Sequence, residues 1–110
     1  MSNFFHVTSL PLRINQYSYQ IHDNDSYLIV ETMSQLVLPS NPSDSKAILL
    51  VNVSNQTIDL ESYNSSNKIY NNLYAPDGSL GLKIEANRII YIVYIMNHSL
   101  NEGRWVTHFG

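Results

Sequence analysis

Apolar and polar residues alternate with a period of two along much of this chain. Tyr17 to His22 sets Tyr17, Tyr19 and Ile21 against polar neighbours. Gln56 to Glu61 puts Ile58 and Leu60 on one face, and Leu80 to Glu85 does the same with Leu80, Leu82 and Ile84. Successive side chains of a strand point to opposite faces, so each segment predicts a strand with one dry and one wet side. Three runs are more continuous: Tyr27 to Val30, Ala47 to Val53 and Ile89 to Met96. They predict strands covered on both sides, by a second sheet or by another subunit. No window of a dozen residues carries a helical stripe.

Turn chemistry separates the runs. Asp23 to Ser26 and Ser54-Asn55 are short enough to close hairpins, and Pro76-Asp77-Gly78 has the residues of a tight turn. Pro39 removes a donor after Leu36-Val37-Leu38, and Pro42 holds Asn41 extended, so residues 39–45 read as a corner between sheets. Short strands at this spacing predict an all-β fold: a single jelly-roll-like β-sandwich of short antiparallel strands spanning residues 17–110. Residues 1–16 lack clean alternation and contain Pro11, so they read as an N-terminal arm or an edge strand.

Length and composition narrow the functional classes. At 110 residues the chain is one ordinary domain. Its charged fraction is 14 %, against about 25 % in a typical domain, and Asn and Ser supply the polarity instead. An uncharged polar surface tolerates a neighbouring subunit at close range; an AT-rich genome, which inflates Asn, Ile and Tyr, accounts for the same composition. The net charge of -3 and the scatter of the six basic residues argue against nucleic acid as a partner. The absence of cysteine excludes disulfides and thiolate metal sites. The N-terminus lacks the basic start and apolar core of a signal peptide, and no apolar run is long enough to predict a membrane-spanning helix.

The candidate chemistry is thin. His6, His22, His98 and His108 show no zinc-ligand spacing. His22 with Asp23 and Asp25 could hold a cation, but a polar hairpin end is the simpler reading. Asp23-Asn24-Asp25 lacks the glycine and distant glutamate of a calcium loop. Asp59 and Glu61 share a strand face opposite Ile58 and Leu60, so a solvated surface accounts for them. No nucleophile motif or phosphate-cradling glycine loop occurs. We therefore expect no enzyme, no cofactor and no metal.

The order of motifs resembles a known type of module. Tyr27-Leu28-Ile29-Val30 precedes Leu36-Val37-Leu38-Pro39 and a small polar loop. Ile48 to Ser54 then carries Asn52-Val53-Ser54, and Ile58-Asp59-Leu60 follows. Arg88 to Tyr94 leads to a closing Gly103-Arg104-Trp105. Over about residues 17 to 107 this resembles the small β-sandwich modules of tailed-bacteriophage structural proteins found in capsid fibres, tail fibres and head-decoration proteins. The loop departs from their usual pattern, carrying Ser43-Asp44-Ser45 where a glycine is common.

The resemblance implies a virion structural protein, commonly a homotrimer, that contacts the major capsid protein or other virion proteins and does no chemistry. A chain of 110 residues without a long shaft suits a capsid decoration or cement protein on the head surface better than a fibre. The alternative is a tail-fibre or baseplate module that binds a receptor or host glycan. Two groups are expected to carry partner binding. One is the apolar N-terminal set Phe4, Phe5, Val7, Leu10 and Leu12, the natural anchor of an arm. The other is Tyr63, Tyr70 and Tyr74, because tyrosines in a loop-rich stretch suit an interface.

Overall fold

The computed structural model describes residues 10–63, 72–73 and 81–109. Among them there are ten strands and no helix: β1 (Leu12–Ile14), β2 (Ser18–Gln20), β3 (Tyr27–Val30), β4 (Gln35–Val37), β5 (Ala47–Asn52), β6 (Ile58–Glu61), β7 (Asn72–Leu73), β8 (Leu82–Ile84), β9 (Arg88–Asn97) and β10 (Glu102–Phe109). They form two sheets. The six-stranded sheet has the order β1-β3-β5-β9-β10-β7, and the four-stranded sheet the order β2-β4-β6-β8.

The connections give the fold its character. From β1 to β6 each strand lies in the sheet opposite its predecessor. As a result β1, β3 and β5 run parallel in one sheet, and β2, β4 and β6 run parallel in the other. The chain winds as three coils of a short solenoid. Antiparallel strands close it: β8 on β6, β9 on β5, and β10 on β9. The all-β expectation is met, but a wholly antiparallel, jelly-roll-like ordering is not what forms. Asp23 to Ser26 and Ser54-Asn55 are likewise not hairpin turns. They are corners that carry the chain from one sheet to the other, as residues 39–45 do.

Equivalent corners stack and bond to one another. Gln35 N–H donates to the Tyr17 carbonyl (2.6 Å), and Asp59 N–H to that of Ser34 (3.1 Å). On the other sheet Glu31 N–H donates to the Ile14 carbonyl and Val53 N–H to the Val30 carbonyl, each at 2.9 Å. Buried Ser34 adds its hydroxyl, donated to the Gln16 carbonyl at 2.8 Å. These bonds satisfy backbone groups that a crossing between sheets would otherwise strand.

The core lies between the sheets. Along the four-stranded sheet Tyr19, Leu36, Leu60 and Leu82 face inward in one row across the strands. Leu28, Leu50 and Ile90 form a matching row on the six-stranded sheet. Each fully enclosed aliphatic side chain contributes about 1.5–3 kcal/mol of transfer free energy. Trp105 closes the β10 end, packed edge-on against Tyr94 with ring centroids 5.1 Å apart. Gly103 is required beside them, because a Cβ there would overlap the Tyr94 phenol.

One polar side chain is built into this core. Asn52 is fully enclosed at the end of β5. Its amide donates to the carbonyls of Gln56 (2.9 Å), Ile84 (3.0 Å) and Glu85 (3.0 Å). Its Oδ1 accepts from the Ser54 N–H (3.0 Å) and the Ser54 hydroxyl (2.6 Å). Its own carbonyl accepts from the Asn87 N–H at 2.8 Å. The Asn52-Val53-Ser54 motif is therefore a clamp that ties the third coil to the closing strands.

Candidate interaction face

The two sheets have opposite outer faces. On the four-stranded sheet the outward positions are Ser18, Gln20, Gln35, Val37, Asp59, Glu61 and Lys83, nearly all polar. Lys83 pairs with Asp59 at 2.8 Å, and Gln35 lies 3.4 Å from Glu61. Asp59 and Glu61 thus sit on a solvated surface, as their spacing suggests.

The inner strands β3, β5 and β9 of the six-stranded sheet are apolar on their outside as well. The outward positions fall in rows fixed by the register. Ile29, Val51 and Ile89 align, with Arg13 beyond them on β1. Tyr27, Leu49 and Tyr91 align, with His108 on β10. Ala47, Val93 and Val106 make a third row. Every outward position on β3 and β5, and on β9 from Ile89 to Ile95, is apolar or aromatic. Among the described residues no strand covers this face, and Ile89 (39 %), Ile95 (42 %) and Val106 (50 %) are substantially exposed. Contiguous apolar surface of this kind marks interaction sites.

Its electrostatics are neutral. Arg13 is paired with Glu31 at 2.8 Å, and Arg104 with Glu102 at 2.8 Å. His108 stacks on Tyr91 with ring centroids 6.3 Å apart. The positive groups on the face are thus matched within the chain, leaving a broad apolar surface edged by satisfied charge.

A polar cluster lies at the corner between β2 and β3. Asp25 Oδ2 accepts from the Tyr19 hydroxyl (2.8 Å) and from the His22 backbone N–H (2.9 Å). Tyr19 Oη lies 3.1 Å from His22 Nδ1, and Lys46 donates to the Asp25 carbonyl at 2.6 Å. Burial, then the bond to Asp25 and its charge, pushes the Tyr19 phenol up to about 12. Burial also lowers Lys46, against the opposing pull of Asp25 and Asp23. A tyrosine held protonated is a hydrogen-bond donor rather than a base, and Asp25 Oδ2 accepts from groups of its own corner. The arrangement braces a turn. Among the described residues no group of three His, Asp or Glu side chains is placed to hold a metal ion.

The expected partner-binding residues are distributed differently. Phe4, Phe5, Val7, Tyr70 and Tyr74 lie outside the described residues. Leu10 is 91 % exposed, just before β1. Leu12 sits in β1, an edge strand parallel to β3, opposite inward-facing Leu28. Tyr63 is exposed just beyond β6. None of these three belongs to the outward rows of the six-stranded sheet. The residues that do, such as Ile29, Val51 and Val93, announced themselves only through the unbroken apolar runs of β3, β5 and β9.

No family model matches the chain, and no curated protein matches it. Among solved structures, a chain in "Structure of a chaperone-substrate complex" superposes with a TM-score of 0.44 and 19 % identity, over 84 % of this chain and 14 % of that one. A likeness that slight carries neither fold nor partner across.

Proposed function

We propose that this protein is a non-enzymatic virion structural protein, a capsid decoration or cement protein that contacts the viral shell and its own copies. The observation that carries the reading is the apolar outer face of the six-stranded sheet, set against the polar outer face of its partner sheet. A face whose burial would return free energy on contact, and whose charges are internally matched, suits permanent packing better than turnover. The motif order described above supplies the virion setting. The polar cluster around Tyr19 and Asp25 braces a corner, in keeping with a structural role.

Immunogold electron microscopy of particles from the source, with an antibody raised against this chain, tests the proposal. Gold spread over the head is expected. Gold confined to the tail tip would overturn it in favour of a receptor- or glycan-binding module. Particles without gold would remove the virion setting altogether.

A further inference from the structure

We infer that the outer face of the six-stranded sheet is a self-association surface, occupied by the same face of a second copy in a two-fold dimer. The inference rests on the reading of this face as a contact surface and names the occupant.

Three features select a second copy. The first is charge. Arg13 and Arg104 are paired with Glu31 and Glu102 of the same chain, so neither cation is left to repel its counterpart in a second copy. A second copy presents the same neutral, apolar surface, and no like charges remain unpaired between the two. The second is shape. Sheets pack face to face about 10 Å apart with strands roughly aligned, and an outer sheet face meets that geometry as readily as an inner one. The third is symmetry. A single patch that contacts itself closes as an isologous pair, whereas a trimer needs two different patches to meet head to tail. The outer face supplies one patch, so this surface builds a two-fold pair rather than the three-fold ring expected from the phage resemblance.

The area bounds the strength. Strands about 4.8 Å apart, with about 3.3 Å per residue along them, give an apolar patch of roughly 20 × 25 Å. The pair would bury on the order of 1,000 Å², close to the ~1,200 Å² at which specific interfaces begin. The dimer is therefore concentration-dependent.

Sedimentation equilibrium of the full chain over a concentration series is the test. The mass is expected to rise from 12.6 kDa toward twice that value. Val106→Glu, at an exposed position on the face, should weaken the dimer by more than roughly tenfold. Ile95→Glu provides a second exposed site should the first variant melt early. Val37→Glu, on the polar outer face of the other sheet, should leave association unchanged. A mass that stays at one chain across the series overturns the inference. So does a limiting mass of three chains, or a dimer insensitive to both face variants. The two proposals fail separately: a monomer that still labels the head sinks only the dimer, and a dimer absent from particles sinks only the virion role.

Discussion

Asn52 is a residue whose loss the fold should feel strongly. Its side chain is fully enclosed and bridges the β5–β6 corner to the end of β8. Asn52→Ala deletes every one of those bonds. The bonds to the Ile84 carbonyl, the Ser54 amide and the Ser54 hydroxyl are the enclosed ones, whereas those to the Gln56 and Glu85 carbonyls lie nearer the surface. The Ser54 hydroxyl retains the Gln56 carbonyl as a partner at 3.0 Å. At about 1–3 kcal/mol for each buried polar group stripped of a partner, the two enclosed losses come to about 4 kcal/mol. That is a large share of the 5–15 kcal/mol expected of a small domain. Urea unfolding should show a lower midpoint with an unchanged slope. Asn52→Asp keeps the shape but turns two donors into an acceptor aimed at carbonyl groups. Burial would raise the folded pKa of that new carboxyl above its unfolded value of about 3.9. Its deficit should therefore be smallest below that pH and grow as the pH rises through the folded value. An Asn52→Ala protein that loses less than about 1 kcal/mol, or an Asn52→Asp protein with no pH dependence beyond wild type, would refute the clamp.

Gly103→Ala should cost about 2–3 kcal/mol by forcing the packed Tyr94 ring aside, and should cost less in a Tyr94→Leu background; equal costs in a double-mutant cycle would count against it. Ser45 occupies the left-handed region at φ 70°, in the loop between β4 and β5. Relieving a left-handed strain of about 1–2 kcal/mol, less about 0.5–1 kcal/mol for glycine's flexibility, Ser45→Gly should gain about 0.5 kcal/mol; a lower melting temperature would contradict this. Tyr19, raised to about 12 in the folded chain against about 10 unfolded, contributes stability that is fully present below pH 10 and lost as the pH rises through about 12. Tyr19→Phe should flatten that alkaline loss and remove a late-titrating phenol from the absorbance titration of the eight tyrosines; an unchanged curve would sink the assignment.

The sequence by itself determined which residues face inward in β6, β8 and β9. It did not do so at Tyr17, which is 63 % exposed beside β2, and Leu80 lies outside the described residues. Period-two alternation is a local property of extended backbone, so Ile58 and Leu60, Leu82 and Ile84, and the opposed Tyr91 and Tyr94 could be placed on their faces without knowing any neighbour. The continuous runs of β3, β5 and β9 likewise announced strands with apolar residues on both faces, and the outer of those faces is left uncovered among the described strands. Strand partners and directions were decided only by the tertiary structure. A hairpin turn and a corner between sheets use similar lengths and the same Gly, Pro, Asn, Asp and Ser chemistry, so Asp23 to Ser26 reads equally well as either. What separates them is whether the next strand lies beside its predecessor or across the core from it. That depends on contacts between residues far apart in the chain, such as the Asn52 clamp and the stacked corners. The outer face follows the same rule: each strand showed its apolar residues locally, but only the order β3-β5-β9-β10 brought them together as one surface.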